Sequence, residues 1–136
     1  MKKMKVFLKV GFMFALLAGT ISTASAYNAK FAFDLDSGWM SHWDYSSYSY
    51  KASYDESPVA QCTYAGGSTK NFEYTVVNSN NEAKVVNFTK DGTFNATAFG
   101  RHTTVQNYKY KLGVTRHGGS WNSSANTQGN WSPDSY

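Results

Sequence analysis

This chain has few of the residues that cross-link or ligate. It carries one cysteine, Cys62, in 136 residues. Small secreted domains held by disulfides use an even set of cysteines. An internal disulfide is therefore excluded, and packing alone must hold the fold. Cys62 lies in VAQCTY with no basic residue nearby in sequence to lower its pKa. It reads as a small buried hydrophobe. Only two prolines occur, Pro58 and Pro133. Both fall between or beyond extended segments, as a residue without an N–H requires. Beyond residue 26 there is no isoleucine, with two leucines and seven valines. So few aliphatics would ordinarily signal disorder. Disordered chains are also poor in aromatics and high in net charge. This one has ten tyrosines, four tryptophans and, beyond residue 26, six phenylalanines. The expected core is built from rings, which bury large areas and, in Tyr and Trp, keep a polar handle.

The first 26 residues read as a secretory signal peptide. Lys2, Lys3, Lys5 and Lys9 form a positive leader, VGFMFALLAG is a short apolar run, and Ala24-Ser25-Ala26 is a small-x-small cleavage pattern. The apolar run falls short of the roughly 20 residues that span a bilayer. The expectation is a signal helix cleaved after Ala26, then a secreted domain over 27–136 that does not span the membrane. Four of the 13 basic residues and none of the nine acidic ones lie in the leader. The remainder is thus formally neutral, nine against nine. Neither that balance nor any charge block points to nucleic acid as a partner.

No long helical period follows residue 26. Period-two alternation broken by turn clusters recurs instead, which predicts an all-β domain. KFAFDL, SYSYKASY, AQCTY, NFEYTVV, AKVVNF, FNATAF and VQNYKYKLGV read as strands. AKVVNF is expected to form a hairpin with NFEYTVV across NSNNE. Asp91-Gly92 is the strongest short hairpin signal. Tyr48, Tyr50 and Tyr54 share one face of their strand and are expected to face the core, with Ser49 and Lys51 facing water. The tail from about 117 is rich in Gly, Ser and Asn. It reads as loop, with at most an edge strand around 126–131. The predicted fold is a single antiparallel β-sandwich of about seven to eight strands, jelly-roll-like.

Catalytic signatures are missing. His42, His102 and His117 are far apart, with no ligand partner at three or four residues. Asp34 and Asp36 share a face, but the calcium-loop pattern is absent. No nucleophile elbow or phosphate-cradling loop occurs. The expectation is a protein that is not an enzyme, with no metal and no cofactor. The remaining signal is aromatic. Trp39, His42 and Trp43 sit in a Gly/Ser-flanked loop, and Trp121 and Trp131 in the tail. These tryptophans either plug the open ends of the sandwich or stand out as stacking surfaces. In the second case all five residues are candidate ligand contacts.

The leader ending in ASA, the strand KFAFDLDSG, and the closing segment YKYKLGVTRHGGSWNSSANTQGNWSPDSY carry a resemblance. The chain resembles the small exported proteins of Gram-positive bacteria grouped as domain of unknown function 2712. That resemblance implies a small secreted β-rich protein and transfers no catalytic or binding residue. The run GWMSHWDYSSYSY is also similar in character to lactococcin-type bacteriocins. The expected function is a secreted or envelope-associated binding protein whose partner is a cell-wall polysaccharide or an envelope protein. The alternative is a bacteriocin-like antibacterial protein.

Overall fold

A computed structural model describes residues 29–35 and 42–135. The expected signal helix, its cleavage point after Ala26, and Trp39 lie outside the described residues. Nine strands run through the rest: β1 (Ala29–Asp34), β2 (Asp44–Tyr45), β3 (Ser49–Tyr50), β4 (Val59–Gly67), β5 (Asn71–Val77), β6 (Phe88–Asp91), β7 (Phe94–Ala98), β8 (Lys109–Arg116) and β9 (Ala125–Ser132). They form two antiparallel sheets, one in the order β1-β9-β4-β7 and one in the order β2-β8-β5-β6, with β3 also paired to β8.

β2 and β3 are one strand broken by a bulge. Tyr45 opposes Gly113 and Ser49 opposes Tyr110. Four steps on one side thus match three on the other, leaving one extra residue. Counted as one, the pair reduces the fold to eight strands. The first then pairs with the last, the second with the seventh, the third with the sixth and the fourth with the fifth. Folding that ladder over on itself gives the two sheets of a jelly roll. The sandwich expected from the sequence is present.

Its core is aromatic, as the shortage of aliphatics requires. Tyr74 is fully buried and forms the hub. Its ring centroid lies 5.2 Å from Phe94, 5.4 Å from Phe88, and 6.4 Å from both Phe31 and Phe72. Edge-to-face and offset pairs at such distances contribute about 0.5–1.5 kcal/mol each beyond their buried area. Leu112, Val76 and Val114 complete the core cluster from β5 and β8. Burial raises the Tyr74 phenol well above its ordinary pKa of 10.0, although its hydroxyl hydrogen bond with Thr127 Oγ1 (3.4 Å) opposes the shift.

Four local expectations are corrected. The tail strand is not an edge: β9 lies between β1 and β4 in the first sheet. Its alternation was hidden by small residues, since Ala125, Thr127 and Gly129 face inward with Trp131. The Asp91-Gly92 turn is not a hairpin. β6 pairs with β5 and β7 with β4, so the turn carries the chain between sheets. Gly92 has φ +70° and donates its N–H to Lys70 O at 2.9 Å. Of the segment AKVVNF, residues 83–87 make only isolated bridges, Val77 to Ala83 and Val85 to His102, while Phe88 opens β6, which is the strand that pairs with β5.

The fourth correction concerns the tyrosines. The period is right and the sense is inverted. Tyr48, Tyr50 and Tyr54 are exposed, while Ser49 and Lys51 are buried. The partner of Lys51 explains the inversion. Its ammonium lies 3.2 Å from Asp134 Oδ1, donates to Pro133 O at 2.8 Å, and also donates to the carbonyl of Glu56. An unpaired buried ammonium would be prohibitively costly. Here every proton has an acceptor, one from nearby Glu56 and two from Pro133 and Asp134, which lie 82 and 83 residues away in the chain.

Candidate binding surface

The outer face of the second sheet carries a group of tyrosine rings, half-buried Tyr45 with exposed Tyr48 and Tyr50. Tyr45 and Tyr50 stand opposite Gly113 and Lys109 on β8, and Tyr48 lies in the bulge between them. Gly113 makes room for the Tyr45 ring. A Cβ there would lie 3.0 Å from a Tyr45 ring carbon and 2.8 Å from Thr75 Cγ2. Lys109 Nζ sits 4.5 Å from the Tyr48 ring centre. Lys111 Nζ sits 4.7 Å from that of Tyr45 and 5.2 Å from that of Tyr48. Each such contact contributes about 0.5–1 kcal/mol at an exposed site. Together they hold the rings and the ammonium groups in one array. Lys111 is further fixed by donating to Asn81 Oδ1 at 2.7 Å. Tyr54 and Tyr108, 75 % and 65 % exposed, lie in adjoining segments. Lys51 donates its backbone N–H to Tyr108 O at 2.9 Å, so the buried ion pair and the exposed rings share a backbone.

Of the five residues predicted from the sequence, the four that the structure describes do not converge on one surface. Trp39 lies outside the described residues. His42 is exposed at the entry to β2, its carbonyl accepting from Thr115 Oγ1 at 2.8 Å and its Nε2 3.6 Å from Asp44 Oδ1. Trp43 is half-buried beside it. Trp121 is 67 % exposed in the loop between β8 and β9. Trp131 is corrected: it is fully buried in the core, at the row where Ala29 and Ala60 flank it. Two alanines on the neighbouring strands leave the space that an indole fills, so Trp131 holds the sandwich together and cannot meet a ligand.

Sequence reasoning missed Tyr45, Tyr48, Tyr50, Lys109 and Lys111. The one available signal was that Lys51 alternates with these tyrosines. A lysine on the inner face looked impossible without knowledge of Asp134. Cys62 is a free, buried thiol, hydrogen-bonded to Tyr64 O and Thr127 Oγ1, both at 3.2 Å. Among the described residues, no three His, Cys, Asp or Glu side chains converge to hold a metal. No family model, curated protein or solved structure matches the chain.

Proposed function

We propose that this is a secreted, cell-envelope-associated protein that acts by binding rather than catalysis. Its contact surface is the tyrosine–lysine face of β2, β3 and β8, and its partner is an acidic cell-wall polysaccharide. The observation that carries this reading is the exposure of Tyr48 and Tyr50 beside Lys109 and Lys111. A chain this short of apolar residues would gain stability by burying those rings. Instead it buries a lysine to keep them in water. Tyrosine rings stack on sugar rings, and the interleaved ammonium groups attract anionic groups on the same polymer. The leader-like first 26 residues support export.

The test is co-sedimentation of the purified protein with isolated Gram-positive cell walls. Retention is expected to fall as salt rises from about 0.1 to 1 M, because exposed charges are screened over that range. The double variant Tyr48→Ser/Tyr50→Ser is expected to lose retention about tenfold or more, while its melting temperature falls only by the few degrees that the two lost cation–π contacts of Tyr48 account for. Retention that ignores both salt and the double variant would exclude this face.

A further inference from the structure

The first sheet has an outer face of different chemistry. Asn126, Gln128 and Asn130 alternate with the buried residues of β9 and so project outward in one row. Beside them, the pairing of β4 shifts register between Cys62 and Tyr64, where Thr63 is the extra residue. The bulge aims Tyr64 outward, opposite Gln128, and leaves it 51 % exposed. The Tyr64 ring extends along the strand over Gly66, where an added Cβ would lie 2.4 Å from the Tyr64 hydroxyl. Two adjoining hollows of about 530 and 420 Å³ flank Gln128, which with Ala32 lines both. Asn126 lines the second hollow beside Tyr64.

We propose that this groove binds a neutral oligosaccharide, independently of the tyrosine–lysine face. Carboxamides both donate and accept, as sugar hydroxyls do, so a row of three can satisfy a polyhydroxylated chain without any net charge. Tyr64 supplies the ring on which one sugar stacks. Lys30 lines one hollow and Asp34 the other, so opposite charges sit at opposite ends and the groove as a whole has none. This neutrality separates it from the cationic face across the molecule. Asn126 to Asn130 spans about 13 Å at the rise of a β-strand, and the hollows lie in line along that span. The arrangement suits a chain of sugar rings better than a single ring.

The experiment is a chemical-shift titration of the full chain with hexamers of β-linked glucose and of N-acetylglucosamine. At least one hexamer is expected to move the amide signals of Thr63, Tyr64 and Asn126–Asn130. Tyr64→Ala and Gln128→Ala should each weaken that binding about tenfold. Both side chains are exposed, so folding is not at stake, and the wild-type shift map stands without them. Tyr48→Ser/Tyr50→Ser should leave the hexamer affinity unchanged. The proposal is overturned if neither hexamer shifts the groove signals, or if the tyrosine-face variant alone abolishes binding. It is likewise overturned if only an acidic polymer such as polyglucuronate moves them.

Discussion

Lys51 and Asp134 form a fully buried ion pair. Asp134 accepts from the Ala52 N–H at 2.8 Å, the Ser53 N–H at 3.0 Å, the Ser53 hydroxyl and Lys51. Burial disfavours its charged form, but the hydrogen bonds from Ser53, Ala52 and Lys51 outweigh burial and hold its pKa below the ordinary 3.8. A carboxylate whose pKa is lowered by folding stabilises the fold above the unfolded-state pKa. That contribution is lost as pH falls through the folded value. Stability measured by urea titration is therefore expected to fall below about pH 4. Asp134→Asn should flatten that acid limb. At neutral pH, Asp134→Asn or Lys51→Met is expected to cost about 3–5 kcal/mol, because each strands a buried group. The double change Lys51→Met/Asp134→Leu should cost clearly less than the two single changes together, since no charge is left buried. A double change as costly as the two singles combined would show that the pair contributes by shape rather than by charge.

At the scale of the element, β9 and its neighbours show how close approach is built. A Cβ on Gly129 would lie 1.9 Å from Gln61 O and 2.8 Å from the tip of the Phe31 ring. Gly129→Ala is thus expected to cost more than about 3 kcal/mol, beyond ordinary overpacking, because a backbone atom must move. Gly92 provides the contrast. Nothing lies within 4 Å of an added Cβ there, and only its φ of +70° opposes a side chain. Gly92→Ala should cost about 1 kcal/mol. Thermal melts of the two variants test the difference, and equal losses would mean that β9 does not lie against β4 as described. The strands themselves were legible from period two wherever large residues alternate with polar ones, as in β5 and β8. β9 was not, because a face made of Ala, Thr and Gly carries almost no hydropathy contrast. The Asp91-Gly92 turn was visible as a turn. Which sheets it joins depends on pairings with β4 and β5 that no local signal encodes.

Over the whole molecule, the absence of a disulfide leaves a single cooperative core to close the sandwich. Cys62 reports on that core, being 2 % exposed and at the junction of β4 and β9. Its reaction with a thiol reagent in native buffer is expected to be slow and limited by opening of the domain. The rate should rise with urea along the slope of global unfolding. Rapid labelling without urea would show that β4 and β9 separate locally. The two outer faces differ in character, one aromatic and cationic, the other rich in carboxamides and neutral. Nothing in composition distinguishes them, because both draw on the same pool of Tyr, Asn and Lys.

The sequence by itself determined the class of fold. Alternation, spaced turns and ring-rich composition left an aromatic β-sandwich as the way to bury enough surface without aliphatics or cross-links. It also determined that Tyr48 and Tyr50 share a face, although Tyr54 lies beyond the strand. Only the tertiary structure decided which way that face looks. A strand's period is the same whether its rings point in or out, and a one-residue bulge or a distant partner sets the sense. Asp134, 83 residues from Lys51 in the chain, made the inward lysine possible and so turned the tyrosines to water. The same physics drew Trp131 inward, into the space left by two alanines on strands that only pairing brings to its sides.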